Sequence, residues 1–147
     1  MKNNYSPLVK TNHEPEYKTS PPLKISSVGT EIKKNSTVMP DGSALLTNTG
    51  NNSSLKIQGI DYIVHAVPKT RSSCNTDEEF IEIAVKAAQN SIILADREGI
   101  KSLAICFIGG EIYRGSCDPQ KLAEGIIRGV INQIEKVNDL ETISLID

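Results

Sequence analysis

The chain has 147 residues, which is long enough for one domain with a hydrophobic core and too short for two of ordinary size. Its net charge of −2 gives no global field that would favour nucleic acid or an anionic membrane surface. The sequence "MKNNYSPLVK" has no apolar signal core, and no run approaches the ~20 apolar residues of a membrane helix. We therefore expect a soluble cytoplasmic protein without membrane or nucleic-acid partners, with export by machinery that reads other signals left open.

Three cysteines without CxxC spacing predict neither a disulfide framework nor a zinc site, and we expect no metal and no cofactor. Cys106 lies in an apolar run and is predicted to be a small core residue. Cys117 precedes a predicted helix, where a thiolate can be stabilised, but no histidine is an evident partner for a nucleophile.

The N-terminal residues 1–36 are rich in Pro, Ser, Thr, Asn and Lys and hold few apolar side chains. Such a segment buries too little surface to offset the entropy lost on ordering. We therefore predict a disordered polar tail over residues 1–36 and one α/β domain over residues 37–147. His13 belongs to the tail and has no visible partner.

The domain begins with two strand signals. A Pro-Asp-Gly turn at residues 40–42 leads into the apolar run 44–46, and residues 48–56 are predicted to form a loop. The next segment, residues 60–67, is rich in β-branched and aromatic residues and is closed by Pro68. Because it is apolar almost throughout, it predicts a central strand covered on both faces.

A helix is predicted over residues 77–98. Thr76 and Glu79 have the spacing of a capping box, and Gly99 stands where a helix-ending glycine belongs. Small and apolar residues recur at helical spacing and form one face able to lie close to a sheet: Phe80, Ala84, Ala87, Ala88, Ser91, Ile92 and Ala95.

The remaining elements complete an α/β order. "KSLAICFI" at residues 101–108 predicts a buried strand, Asp118 and Pro119 provide the N-cap and first residue of another helix, and "LETISLI" predicts a final strand. The apolar face of that helix consists of Leu122, Ala123, Ile126, Ile127, Val130, Ile131 and Ile134. Alternating strands and helices imply a parallel or mixed sheet with right-handed crossover helices.

The stretch "ICFIGGEIYRG" ends a predicted strand in a glycine-rich loop. Glycines let backbone N–H groups approach an anion, and a following helix N-terminus adds partial positive charge. The pattern is neither GxGxxG nor GxxxxGK[ST], so phosphate binding and a plain tight turn both remain open at this point. The candidate ligand-binding residues are Gly109, Gly110, Glu111, Ile112, Tyr113, Arg114 and Gly115.

The order of these segments resembles the C-terminal half of a macro domain, over roughly residues 38–135. Residues 42–44 fall on that family's Gly-x-Ala strand, residues 63–67 on its "(I/V)IHAV" strand, and residues 101–104 on its "KSIA"-like strand. Ala95 to Gly99 corresponds to the end of its helix, and Ile112-Tyr113 to the Ile-aromatic pair of its loop.

The resemblance implies binding of ADP-ribose, and some macro domains also hydrolyse ADP-ribose from proteins. It implies that the backbone of residues 109–115 surrounds the diphosphate and that Tyr113 packs against the distal ribose. His65 corresponds only to a strand residue and is expected to be structural. Asp96 and Glu98 are expected to be surface charges.

The chain departs from the family in two respects. The family's N-terminal half has no recognisable counterpart, which gives an N-terminally reduced domain whose sheet edge needs a partner, self-association or cover from part of residues 20–45. Within the loop, Glu111 and Arg114 replace glycines. A carboxylate ~4 Å from a phosphate is repulsive by about 1 kcal/mol in water, whereas an arginine can donate to the same anion.

Three functions follow from the sequence. The first is binding of ADP-ribose or a related nucleotide diphosphate with little or no catalysis. The second is a degenerate macro fold that acts as a protein-interaction or regulatory module. The third is an ADP-ribosyl hydrolase, so the sequence leaves open whether the protein is an enzyme.

Overall fold

A computed structural model describes residues 38–51 and 53–146, so the predicted tail over residues 1–36 lies outside the described residues. A short helix, α1, forms within the segment predicted as a loop, because the Ser53 hydroxyl accepts a hydrogen bond from the Lys56 N–H at 3.1 Å. In chain order the elements are β1 (Ala44–Asn48), α1 (Ser54–Ile57), β2 (Tyr62–Ala66), a 3₁₀ turn (Arg71–Ser73), α2 (Asp77–Arg97), β3 (Ser102–Cys106), α3 (Pro119–Ile134) and β4 (Thr142–Ile146).

The strands form two pairs that both pack against α2. β1 and β2 are antiparallel, with Ala44 opposite Ala66, and β3 and β4 are parallel, with Ser102 opposite Thr142. In the described part of the chain, β2 and β3 share no hydrogen-bonded ladder. The predicted α/β class with mixed strand directions and crossover helices is confirmed, but the strands make two pairs instead of one continuous sheet.

The strands are less buried than the sequence predicts. Tyr62 in β2 is exposed and the rest of that strand is only half-buried, so the predicted cover on both faces is wrong. In β3, Ile105 is buried whereas Ala104 is exposed, because α2 covers one face of the strands. Cys106 shares the exposed face, and its prediction as a core residue is therefore wrong.

Helix α2 agrees closely with the sequence. The Thr76 hydroxyl accepts from the Glu79 N–H at 3.1 Å, and the Glu79 carboxylate accepts from the N–H of Asn75, one residue before the cap, at 2.8 Å. Gly99 ends the helix with φ +70° and donates to the Asp96 carbonyl at 3.0 Å, as in a Schellman motif. All of the predicted face residues are buried: Phe80, Ala84, Ala87, Ala88, Ser91, Ile92 and Ala95.

Helix α3 crosses α2 at two glycines. A Cβ on Gly125 would lie 2.6 Å from Ile81 Cγ2, and one on Gly129 would lie 2.4 Å from Val85 Cγ1. The Gln89 amide also donates to the Gly129 carbonyl at 3.1 Å. Only glycines allow the backbones to approach this closely, and therefore they fix the position of α3 on α2.

The predicted apolar face of α3 is only partly buried. Leu122, Ile126 and Val130 are in the core, whereas Ile127, Ile131 and Ile134 are exposed. The buried row is the one that meets α2, and the neighbouring row has no cover among the described residues. No helix in the described ranges is both long and apolar enough to cross a membrane.

Asp96 is a structural anchor, which corrects its expected role as a plain surface charge. Its Oδ1 accepts the backbone N–H groups of Asn138, Asp139 and Leu140 at 3.0, 2.7 and 2.9 Å. Partial burial alone would raise the pKa of this carboxyl, but the three backbone donors outweigh it and lower the pKa. Asp96 thereby holds the turn that leads from α3 into β4.

The contact between Gly129 of α3 and Val85 of α2 predicts how substitutions change stability. G129A places a methyl group within 2.4 Å of Val85 Cγ1 and should reduce the free energy of unfolding by about 1–3 kcal/mol, although alanine favours the helix by up to about 1 kcal/mol. The double variant V85A/G129A removes the clashing methyl and should recover most of that loss. Urea unfolding of the single and double variants measures this, and additive losses would contradict the contact.

The Asp96 anchor predicts a pH-dependent stability. Because its pKa is lowered by folding, its contribution is present above its unfolded pKa near ~4 and is lost as the pH falls through the folded value. D96A should lower the free energy of unfolding by about 1–2 kcal/mol at pH 7, a value reduced for solvent exposure, and the difference from the native chain should shrink below about pH 4. Denaturant unfolding at pH 7 and pH 3 checks this; a pH-independent difference would contradict the anchor.

Candidate ligand-binding loop

The loop between β3 and α3 begins at a glycine held against α2. Gly109 is buried with φ +76°, and a Cβ there would lie 3.2 Å from Phe80 Cζ and 3.6 Å from Ala84 Cβ. The positive φ favours glycine at this position, and a Cβ would press against the Phe80 ring. The loop follows the carboxyl end of β3, the end of the strands where α/β proteins usually bind ligands.

Gly110 is favoured for a different reason, its contact with Phe107. A Cβ on Gly110 would stand 2.7 Å from Cδ1 of the Phe107 ring, so a larger residue must displace that ring. At the far end of the loop, Gly115 has φ +53° and packs beside Arg71. The Arg71 N–H donates to the Tyr113 carbonyl at 2.8 Å, which ties the loop to the 3₁₀ turn before α2.

Among the described residues, Glu111 is the only non-glycine residue with a positive φ, at +47°. This left-handed conformation costs an ordinary side chain roughly 1–2 kcal/mol. The backbone therefore keeps a shape that suits glycine although the residue is glutamate. The Glu111 side chain is exposed, and it adds a negative charge to the loop.

The loop amides divide into two groups. The N–H groups of Gly110, Tyr113 and Arg114 donate to carbonyls three residues earlier and close successive turns. The N–H groups of Gly109, Glu111, Ile112 and Gly115 have no acceptor among the described residues. Gly109 is buried, so the donors that an anion can reach are those of the exposed residues Glu111, Ile112 and Gly115.

The side chains of the loop are largely solvent-exposed. Ile112 is 90% exposed and Tyr113 is 48% exposed. The Arg114 guanidinium donates through Nη1 to the Cys117 carbonyl at 2.7 Å. This hydrogen bond uses one of its N–H groups at the start of α3. Its other N–H groups have no acceptor among the described residues.

The helix N-termini near the loop are already occupied by carboxylates. Asp118 caps α3 by accepting the Gln120 N–H at 2.9 Å, and Asp77 in the first turn of α2 pairs with Arg71. The partial positive charge expected from α3 is thus balanced by its own cap. Anion binding here depends on backbone amides and on Arg114.

The two buried thiols near the loop are not activated. Burial raises the pKa of the Cys117 thiol, and Asp77 adds to the rise while Arg71 opposes it. Burial likewise raises the pKa of Cys74. The thiolate that the sequence allows at Cys117 is therefore disfavoured, since a buried thiol keeps its proton at neutral pH.

His65 is a cross-strand residue, as the sequence predicts. Its Nε2 lies 2.9 Å from the Thr47 hydroxyl on the neighbouring strand, and partial burial lowers the pKa of the ring. The ring is accordingly neutral and engaged at pH 7. Within the described ranges, no group of three or more His, Cys, Asp or Glu side chains is arranged to hold a metal ion.

Two cavities are lined by residues outside the seven loop residues. A polar cavity of about 500 Å³ is lined by residues 46–51 and by Lys56, Asp61, Tyr62 and Glu98. It opens where β1 ends and β2 begins, and the end of α2 borders it, so it lies at the opposite end of the strands from the loop. An apolar cavity of about 470 Å³ lies between α3 and the ends of β3 and β4. Sequence reasoning missed the polar cavity, whose signal is the polar run after β1.

The conformation of Glu111 predicts how substitutions at this position affect stability. E111G relieves the left-handed strain of roughly 1–2 kcal/mol but adds unfolded-state entropy of about 0.4–1 kcal/mol, so it should be neutral or slightly stabilising. E111V, with a branched Cβ, should destabilise the protein by about 1–2 kcal/mol. Thermal unfolding of both variants decides this, and equal stability of E111G and E111V would show that the position is not left-handed in solution.

Comparisons with known proteins agree with this architecture. The sequence model described as "Macro domain" matches residues 20–123, so the match begins inside the segment predicted to be a tail. A comparison with curated protein sequences gives no significant match.

Among solved structures, a variant macrodomain from Oceanobacillus iheyensis with ADPR superposes with a TM-score of 0.59 at 14% identity, covering 79% of this chain and 55% of that one. The same macrodomain with ADP gives 0.59 at 15% identity, with coverage of 80% and 55%. An alphavirus "P23pro-zbd" structure gives 0.55 at 16% identity, covering 76% of this chain and 15% of that one.

These similarities show a shared fold, and this chain spans about half the length of the Oceanobacillus protein. The family match covers most of the described elements from β1 to the start of α3, together with the loop between β3 and α3. Since that match extends over more than half of the chain, the chain belongs to the macro domain family.

Proposed function

We propose that this protein binds ADP-ribose or a related nucleotide diphosphate through the loop at residues 109–115, with little or no catalysis. The observation that carries the proposal is the set of open backbone donors at Glu111, Ile112 and Gly115, held by glycines that the packing requires. The macro domain match includes this loop, and two similar structures from Oceanobacillus iheyensis are described with ADPR and with ADP.

The diphosphate is the group that this loop suits best. Three N–H donors lie within five consecutive residues of the loop, and a pyrophosphate presents several acceptor oxygens that such donors can bind. The half-exposed ring of Tyr113 lies on the same loop and offers an apolar face to the distal ribose. Recognition of ADP-ribose over ADP then depends on Tyr113.

Glu111 makes this binding weak. A carboxylate ~4 Å from a phosphate costs about 1 kcal/mol in water and more in a shielded site, which lowers affinity roughly fivefold or more. The free guanidinium donors of Arg114 offset part of this repulsion. We expect a dissociation constant in the micromolar to millimolar range.

The described geometry gives little support to hydrolysis. The Cys117 thiol is buried with a raised pKa, and the His65 ring is engaged with Thr47. Neither residue is suited to activating a water molecule at the loop. The hydrolase remains an alternative that a turnover assay on ADP-ribosylated protein tests directly.

The protein-interaction alternative has one specific observation in its favour. Ile112, which follows Glu111 in the loop, is 90% exposed. Single exposed aliphatic residues are common on protein surfaces, but a side chain as exposed as this one is accessible to a partner protein. Absence of nucleotide binding together with a specific partner that I112A releases would support this alternative.

The binding proposal predicts a difference between two tyrosines. Y113A should weaken ADP-ribose binding about tenfold and leave ADP binding nearly unchanged, because ADP lacks the distal ribose. Y62A is the matched control: Tyr62 is 47% exposed against 48% for Tyr113, and it lines the polar cavity at the other end of the strands. Calorimetric titration of ADP-ribose, ADP and AMP into the three proteins measures this.

Each outcome of the titration has a definite meaning. Loss of ADP-ribose affinity in Y113A with an unchanged Y62A supports the loop. The reverse pattern would place the ligand in the polar cavity and refute the loop as its site. No heat from any protein at millimolar nucleotide would refute nucleotide binding and leave the interaction alternative.

A further inference from the structure

The polar cavity at the end of β1 and the start of β2 has no role in the binding proposal for the loop. Its volume of about 500 Å³ falls within the ~300–1,000 Å³ that small-molecule sites usually have. Among its ten lining residues, Leu46 is the only aliphatic one. The cavity therefore suits a ligand that forms hydrogen bonds better than it suits a hydrocarbon.

Hydrogen bonds within the chain hold the walls of the polar cavity. The Thr49 hydroxyl donates to the Ile60 carbonyl at 2.8 Å, which ties the end of β1 to the segment before β2. The Asn48 Oδ1 accepts the Gly50 N–H at 3.1 Å, and this Asx turn fixes the position of the Asn48 side chain. Walls that are already ordered lose little entropy when a ligand binds.

Three side chains of the lining have polar groups that no other described residue engages. Asn48 uses Oδ1 in the turn, which leaves its Nδ2 donors without an acceptor there. The Asn51 amide and the Tyr62 hydroxyl also lack a hydrogen-bond partner within residues 38–51 and 53–146. Asn48 lies directly opposite Tyr62 in the β1–β2 ladder, so the two side chains are neighbours on one face of the strand pair. The cavity therefore offers several donors and acceptors to a ligand.

The charges of the lining disfavour an anion. Lys56 forms an ion pair with Asp61, so its positive charge is already balanced. Glu98 adds a second carboxylate, and one lysine against two carboxylates leaves the lining with a formal charge of −1. A phosphate is repelled by this charge, and an amine finds both carboxylates already engaged. A ligand without net charge fits these conditions best.

Tyr62 provides an aromatic face for such a ligand, because its side chain is 47% exposed. A sugar presents C–H groups on the face of its ring and hydroxyls around the edge, and each hydroxyl both donates and accepts. Side-chain amides match these hydroxyls, since an amide also supplies a donor and an acceptor. A nucleobase stacks on tyrosine too, but its other face needs a second apolar wall, and Leu46 is only 5% exposed.

We propose that the polar cavity binds a neutral sugar unit. The Tyr62 ring packs against the face of the sugar, and the amides of Asn48 and Asn51 form hydrogen bonds with its hydroxyls. This site is separate from the loop at residues 109–115 and does not depend on nucleotide binding there. A single sugar of about twelve non-hydrogen atoms should bind with a dissociation constant on the order of millimolar.

NMR titration of the ¹⁵N-labelled full-length chain with D-ribose, D-glucose and N-acetyl-D-glucosamine tests the proposal, because asparagine NH₂ groups give their own resonances. With at least one of these sugars, the NH₂ resonances of Asn48 and Asn51 should shift and saturate in the millimolar range. The backbone amide of Ile112 in the loop should not move. D-glucose 6-phosphate should bind the cavity at least about threefold more weakly than D-glucose, because its negative charge meets the charge of the lining.

Variants at Tyr62 and Asn51 test which side chains bind the sugar. Y62A should weaken binding about tenfold, whereas Y62F keeps the ring and should weaken it about threefold or less. N51A removes a donor and an acceptor and should weaken binding about fivefold. N132A is the matched control, since Asn132 is an exposed asparagine of α3 outside the cavity, and it should leave binding unchanged.

Four results would overturn the proposal. The first is the absence of saturable shifts at Asn48 and Asn51 with about 100 mM of each sugar. The second is equal binding by Y62A and the native chain, which would exclude the Tyr62 ring. Tighter binding of D-glucose 6-phosphate than of D-glucose would contradict the charge argument, and tighter binding of adenosine than of D-ribose would identify a nucleobase site. Saturable binding of a neutral sugar that Y62A and N51A weaken and N132A does not supports the proposal.

Discussion

The first turns of α2 hold the rest of the structure in place. On one side of α2, Phe80 and Ala84 contact Gly109 at the start of the loop. On the other side, Ile81 and Val85 contact the two glycines of α3. The beginning of the loop and the helix that follows it are therefore fixed to the same two turns of one helix. A Cβ on Gly125 or Gly129 would clash with α2, whereas at Gly109 the positive φ and the nearby Phe80 ring together favour glycine. The geometry of residues 110–115 is set by this arrangement and not by the loop alone.

The sequence predicts the elements whose signals are local. The caps of α2 and α3, the glycine at the end of α2 and its buried face all follow from residue spacing, because these features depend on neighbours within one turn. The burial of β2 and β3 does not follow from the same reasoning. An apolar run predicts that a strand is buried, but whether both faces are covered depends on which segments of the chain lie above and below it. The exposure of Cys106 and the anchoring role of Asp96 are likewise tertiary, since Asp96 meets backbone donors more than 40 residues away.

The candidate site shows the same division between local and tertiary information. The glycines and their likeness to the macro domain loop are visible in the sequence. Why glycine is needed at these positions is seen only in the structure, where Gly109 contacts Phe80 and Gly110 contacts Phe107. At Glu111 the backbone keeps the left-handed shape while its residue adds a negative charge. Under the binding proposal, the open donors of the loop contact the diphosphate and the Glu111 carboxylate weakens that contact. A weak binder, or a fold whose loop now serves a protein contact, is the outcome that this combination favours.

Binding of the diphosphate by the loop backbone is the central claim, and amide chemical shifts measure it most directly. Titration of ADP-ribose into the ¹⁵N-labelled full-length chain should shift the amide resonances of Glu111, Ile112 and Gly115 the most, because these N–H groups lack an acceptor among the described residues. The Gly110 amide, already bonded to the Phe107 carbonyl, should move less. Shifts confined to the polar cavity around Asn48 and Tyr62, or no shifts at millimolar ligand, would contradict the account.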